Sequence, residues 1–316
     1  MKLRLLIIIL LNLSAMDSDC AKTVFAQETV SNETTAEADE SVIGPGIMPG
    51  EVRTFTRLRI PFSWCPPGSF VMGSRSEEQG RRNDENQTEV TLTQGFWMQQ
   101  HEVTQGEWKA VASRAPWKEY DLSMIQEGDG YPAAFISWYE AMSFCRKLTE
   151  LETSENQLPA GHYFQLPTEA QWEYACRAGS TSTWNFGSDS SQLKQHAWYV
   201  ENTWDIGDRF AHEAGIRPGN LWNLKDMHGN VWEWCYDAYS AVLPGGTDPR
   251  TDGTRRSSRT CRGGCWSDPP EFLRSALRGE DEPYENRYNG TGFRMILVLH
   301  ESMKLPPLPT RRESVR

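Results

Sequence analysis

The sequence predicts an α+β fold in a single domain, low in regular secondary structure. Only three helices announce themselves, each by a hydroxyl residue followed three positions later by Glu or Gln, the reciprocal cap of a helix N-terminus. They lie in a long chain of turn residues, isolated aromatics and short strands, without the strand–helix alternation of a parallel α/β sheet. Composition adds a third observation. Thirteen Trp among 316 residues require a core of large rings whose N–H groups need partners.

Taken in order, strand signals stand at Phe70-Val71-Met72 and Val90-Thr91-Leu92. The first helix opens at Thr104, with Glu107 completing the cap and Trp108, Val111 and Ala112 at helical spacing. The second opens at Ser137 with Glu140, and buries Ala141, Phe144, Cys145 and Leu148. The third opens at Thr168 with Gln171. Its periodicity buries Trp172, Ala175 and Cys176 and leaves Tyr174 partly exposed, and Gly179 stands where a left-handed cap belongs. Gly263-Gly264 predicts positive φ or a close backbone approach. A last strand runs from Phe293 to Leu299.

The ends read differently. Residues 1–26 resemble an export signal: a charged start at Lys2 and Arg4, an apolar run from Leu5 to Leu13, and Val24-Phe25-Ala26 before Gln27. That run is too short to span a bilayer. Residues 27–52 are acidic and end in Gly44-Pro45-Gly46, the composition of a disordered linker. The domain is expected over 53–300, with a flexible tail at 301–316. The product is expected to be secreted or periplasmic, without a transmembrane segment once the signal is removed.

The net charge of −11 excludes a nucleic-acid footprint, which needs a clustered basic face. Six His and seven Cys include no His-Glu-x-x-His and no Cys-x-x-Cys, which argues against zinc. No Gly-x-Ser-x-Gly elbow is present. Glu280-Asp281-Glu282 and Asp268 with Glu271 read as solvated acidic loops.

Several blocks together resemble the formylglycine-generating, or sulfatase-modifying factor, family. They are Pro66 to Gly73, Glu102-Val103-Thr104-Gln105, Leu166 to Gly179, Asp226 to Trp234, Arg262-Gly263-Gly264, Arg274 to Arg278 and Gly290 to Arg294. The resemblance implies a single domain related to C-type lectins. In the catalytic family two cysteines follow the Gly-Gly, bind copper(I) and oxidise a substrate cysteine to formylglycine. Here those positions hold Asp268 and Leu273, which cannot supply the soft sulfur that copper(I) needs, so copper is not expected. Cys265 is the one thiol close by and the candidate catalytic residue of a displaced site, alone or with Cys261.

The resemblance also places a substrate cleft around Cys265, Trp266, Asp268 and Arg274. Asp226, Gly229, Val231 and Glu233 match its calcium positions and mix carboxylates with carbonyls, the oxygen set calcium takes. The competing reading pairs Glu233 with Arg294 or Arg262. Helix cysteines matching Cys145 and Cys176 have distant partners in some members. Met295 and Ser275 stand at those partner positions here, so any disulfide pairing must differ or be absent. The expected function is a secreted non-oxidase binding or interaction module for a protein or peptide ligand, a pseudoenzyme with structural calcium. The alternative is a formylglycine-generating oxidoreductase acting through Cys265.

Overall fold

The computed structural model describes residues 43–119, 124–159, 161–284 and 288–299. The expected export signal with Cys20, residues 27–42 of the expected linker, and the tail lie outside the described residues.

All three predicted helices form where their caps stand: α1 (Gln105–Val111), α2 (Trp138–Ser154) and α3 (Glu169–Arg177), each with both capping-box bonds. At α1, for example, the Thr104 hydroxyl accepts the Glu107 N–H at 3.2 Å and the Glu107 carboxylate accepts the Thr104 N–H at 2.8 Å. A short α4 (Leu193–His196) follows. No described helix is long and apolar enough to cross a membrane.

Gly179 takes the positive φ expected of it (90°), directly after Ala178 (φ 45°), whose N–H closes on Tyr174. One expectation about α3 needs correction. Tyr174 is buried, with its ring 4.9 Å from Trp222 and 5.2 Å from Phe70. The amphipathic argument fails because α3 is enclosed on every side. Its polar residues Glu169, Glu173 and Arg177 are buried too, held in ion pairs instead of facing water.

The strands form three sheets. The largest runs in the order Val52–Thr54, Pro61–Cys65, Phe96–Gln99, Ile296–Val298, Tyr163–Gln165. The second runs Gly279–Asp281, Arg259–Arg262, Trp232–Ala238, Thr291–Gly292, and the third Gly68–Met72, Thr88–Leu92, Gly246–Thr247. The final predicted strand is shorter than expected. Trp232–Ala238, which carries no strand signal in the sequence, is a central strand that is buried from Glu233 onward. Neither period 2 nor period 3.6 marks such a strand, because both faces are covered.

The N-terminal boundary also moves. Ile43 belongs to the core, the Trp97 indole donates to Gly44 O at 3.0 Å, and Gly50 N–H donates to Trp64 O at 2.9 Å. Residues 43–52 therefore pack on the domain and are not linker. The core is ringed as composition required: Trp64, Trp97, Trp108, Trp138 and Trp234 share one cluster, and Trp172 and Trp222 a second.

Between these clusters runs a set of enclosed ion pairs. Glu173 takes Arg177 Nε at 2.8 Å and Arg262, and Glu169 takes Arg278 at 2.6 and 2.8 Å. Glu85 takes Arg274 at 2.8 and 2.6 Å, and Glu233 takes Arg294 at 2.7 and 2.6 Å. Eight of these nine side chains, all but Glu85, are from the motif blocks named above.

Candidate functional site

The second sheet and the loop after Gly264 build the cleft region. Gly263 (φ 96°) and Gly264 (φ 74°) both take the left-handed conformation, and a Cβ on Gly264 would meet Leu273 Cδ1 and Phe272 O, each at 2.9 Å. The glycine pair thus lets the Arg259–Arg262 strand turn tightly into residues 265–273.

Beyond that turn, Cys265 is buried. Its N–H donates to Asp268 Oδ2 at 2.8 Å, its Sγ lies 3.3 Å from Ser267 Oγ, and Ser267 Oγ lies 3.1 Å from Tyr288 Oη. Burial, reinforced by the Asp268 charge, raises the Cys265 thiol far above its ordinary range. Burial, reinforced by Asp281, does the same for Cys261. Both are therefore thiols, not the thiolates that nucleophilic or copper chemistry uses. Burial also raises Asp268, against the bonds from Cys265 and Trp232 that lower it. All six described cysteines are free and buried.

The expected cleft residues do not all line a cleft. Trp266 is enclosed and stacks 5.8 Å from Trp204. Arg274 is enclosed by Glu85, Glu78 and Gly80 O. Asp268 alone of the three is partly open. Beside it opens a cavity of about 340 Å³ walled by Trp232, Tyr239, Phe272 and Tyr288, with Cys261 in its lining and Asp84, Asp281 and Arg82 among its charged groups. Sequence reasoning missed these walls. They come from separate segments with no common motif, and only the sheet register brings Gly279 opposite Cys261 and Thr291 opposite Trp232.

The calcium positions occupy a different region. Glu233 is wholly buried, and its oxygens accept Arg294 and, at 2.8 Å, the Trp172 indole N–H. The arginine pairing foreseen for Glu233 is therefore present, with Arg294 as partner. Asp226 (φ 53°) is also buried, accepts Gly215 N–H at 2.5 Å on Oδ2, and leaves Oδ1 without a partner. An orphaned buried carboxylate oxygen beside a carbonyl-rich turn fits a hard cation. Among the described residues no three His, Cys, Asp or Glu side chains converge at metal-binding range, so carbonyls would have to complete the shell.

The sulfatase-modifying factor enzyme 1-like domain matches residues 51–299. The chain belongs to the sulfatase-modifying factor family. It is 25% identical over 247 residues to the formylglycine-generating enzyme of Mus musculus, covering 61% of each chain. It is 27% identical over 256 residues to the serine/threonine-protein kinase Pkn1 of Chlamydia trachomatis, covering 71% of this chain and 37% of the kinase. A third relative, the formylglycine-generating enzyme of Mycobacterium tuberculosis, is 33% identical over 122 residues, 35% of each chain. The match thus spans between about a third and three-fifths of these relatives' lengths. Among solved structures, PvdO from Pseudomonas aeruginosa superposes with a TM-score of 0.67 at 26% identity, covering 80% of this chain and 100% of PvdO.

Proposed function

We propose that this sulfatase-modifying factor domain is a binding module of a secreted or periplasmic protein, without the family's copper oxidase chemistry. The resemblance puts Asp268 and Leu273 at the positions of the catalytic family's thiol pair, and one observation supports the reading: the thiols that remain nearby, Cys261 and Cys265, are buried. Leu273 is enclosed, packed against the Gly264 turn, and its carbonyl accepts the His228 Nδ1–H at 2.7 Å. The nearest thiols are buried and protonated. The ligand is a protein or peptide segment, and its side chain enters the aromatic cavity beside Asp268. Rigid aromatic walls with a few polar groups suit such recognition.

A structural calcium ion accompanies this reading. Asp226 would anchor it, the carbonyls of Gly229 and Val231 would add oxygens, and Glu233 would share its charge between the ion and Arg294. Calcium supplies rigidity to the turn and takes no part in chemistry.

Incubating the purified protein with copper(I) and a sulfatase-motif peptide, then reading the peptide by mass spectrometry, tests the proposal. No cysteine-to-formylglycine conversion is expected. Turnover that disappears in Cys265→Ser would replace the binding reading with the displaced-thiol oxidase.

A further inference from the structure

Three carboxylates are buried close together: Glu102, Asp226 and Glu233, none more than 2% exposed. Arg294 is ion-paired to Glu233 alone. Glu102, just before α1, receives one bond on Oε1, from Asn230 Nδ2 at 3.1 Å, and none on Oε2. Asp226 receives one bond on Oδ2 and none on Oδ1. Both groups are tied to the same 212–215 loop. Asn230 bridges Glu102 to His212, donating to His212 O at 3.3 Å and accepting His212 N–H at 2.9 Å. Three residues along the same loop, Gly215 holds Asp226.

Among the described residues no basic side chain pairs with either orphaned oxygen. Arg217 lies over the Trp198 ring at 3.6 Å and makes no ion pair with Asp226, and Lys225 Nζ donates to Gly215 O at 2.9 Å. Two buried carboxylates, each with an oxygen lacking a partner, carry a large desolvation cost. A compact cation between them would offset it.

We propose that Glu102 is a further anionic ligand of the cation site anchored by Asp226, so that Glu102 Oε2 and Asp226 Oδ1, the two oxygens without partners, would both serve a bound calcium ion. This rests on the calcium reading but adds a ligand that lies outside the 226–233 turn. The ion then ties the strand-to-helix junction before α1 to that turn, across 102 and 226 in the sequence. Two carboxylates completed by carbonyls and water would form a hard oxygen set, which calcium accepts in flexible geometry whereas magnesium needs near-ideal octahedral ligation.

The test uses the full chain, with melting followed in chelator and in calcium, and calcium affinity read by calorimetry. Wild type is expected to melt higher in calcium. Glu102→Gln should lose most of the calcium gain, because an amide offers the ion no anionic oxygen. Its calcium affinity should fall about tenfold or more. Asp226→Asn should abolish the response. A Glu102→Gln variant with full calcium response would overturn the role of Glu102 while sparing calcium at Asp226. A wild type indifferent to calcium would overturn both. Should Glu102→Gln fail to fold, a terbium-soaked wild-type crystal decides. An anomalous peak within about 2.3–2.6 Å of Glu102 Oε2 supports the assignment, and a peak out of its reach overturns it.

Discussion

Glu173 on α3 is where the buried ion pairs are most exposed to a single substitution. The carboxylate is fully enclosed and takes Arg177 Nε at 2.8 Å, Gly73 N–H at 2.9 Å, and Arg262. Arg262 is itself fully enclosed and is also 3.6 Å from Glu169, which is already engaged with Arg278. Glu173→Gln keeps the shape and removes the charge, leaving Arg177 and Arg262 with less than one carboxylate between them. Breaking a buried pair from one side typically costs about 3–5 kcal/mol. At about 2–4 °C per kcal/mol for a domain of this size, the midpoint should fall by about 6–20 °C. Burial alone would raise the Glu173 pKa, but Arg177 and then Arg262 offset it and hold the pKa below the ordinary range. The contribution is therefore complete above the unfolded glutamate pKa and is lost as pH falls through the lower folded one. Calorimetry across that range should show wild type converging on Glu173→Gln in acid. A variant melting within about 2 °C of wild type at neutral pH would refute the argument. Pairing it with Arg262→Met should recover part of the loss, since an apolar replacement removes the stranded cation.

Other outcomes can be stated briefly. Trp172→Ala should cost about 3–5 kcal/mol, because the ring is enclosed and its N–H holds Glu233; an unchanged denaturant midpoint would show otherwise. Gly264→Val should unfold at lower temperature or shift residues 265–273 in a crystal structure, since both its φ and its 2.9 Å neighbours exclude a Cβ. His228 is kept neutral by burial, its pKa lowered to about 4. Stability should therefore decline as pH falls from about 6.5 toward 4, by on the order of 3 kcal/mol, and His228→Gln should flatten that decline in calorimetric scans.

What the sequence made legible follows from where information is local. Capping boxes at Thr104, Ser137 and Thr168 involve residues three apart, so the helices could be placed from sequence alone. The Gly263-Gly264 turn was readable for the same reason. Tyr174 was misplaced because helical periodicity assumes one wet face, and α3 has none. The Trp232–Ala238 strand was missed because a fully covered strand loses its alternation. Arg274 and Trp266 were expected in a cleft, but their neighbours Glu85 and Trp204 lie far away in sequence. The cavity walls were illegible in the same way. Trp232, Tyr239, Phe272 and Tyr288 meet only through sheet register.

The motifs that identify the family are therefore largely the ones that build its interior. Glu169, Glu173, Arg177, Glu233, Arg262, Arg274, Arg278 and Arg294 are all enclosed and ion-paired. Removing any one strands a buried charge, so they are constrained as a group whatever the domain binds. Asp268, half-buried in the loop after the Gly264 turn, takes part in no ion pair among the described residues. By the resemblance the catalytic family carries a thiol there, and a carboxylate in its place would alter chemistry without disturbing the ion pairs that hold α3 against the second sheet. Family membership is thus fixed by the scaffold, while activity depends on a few side chains that the scaffold does not need.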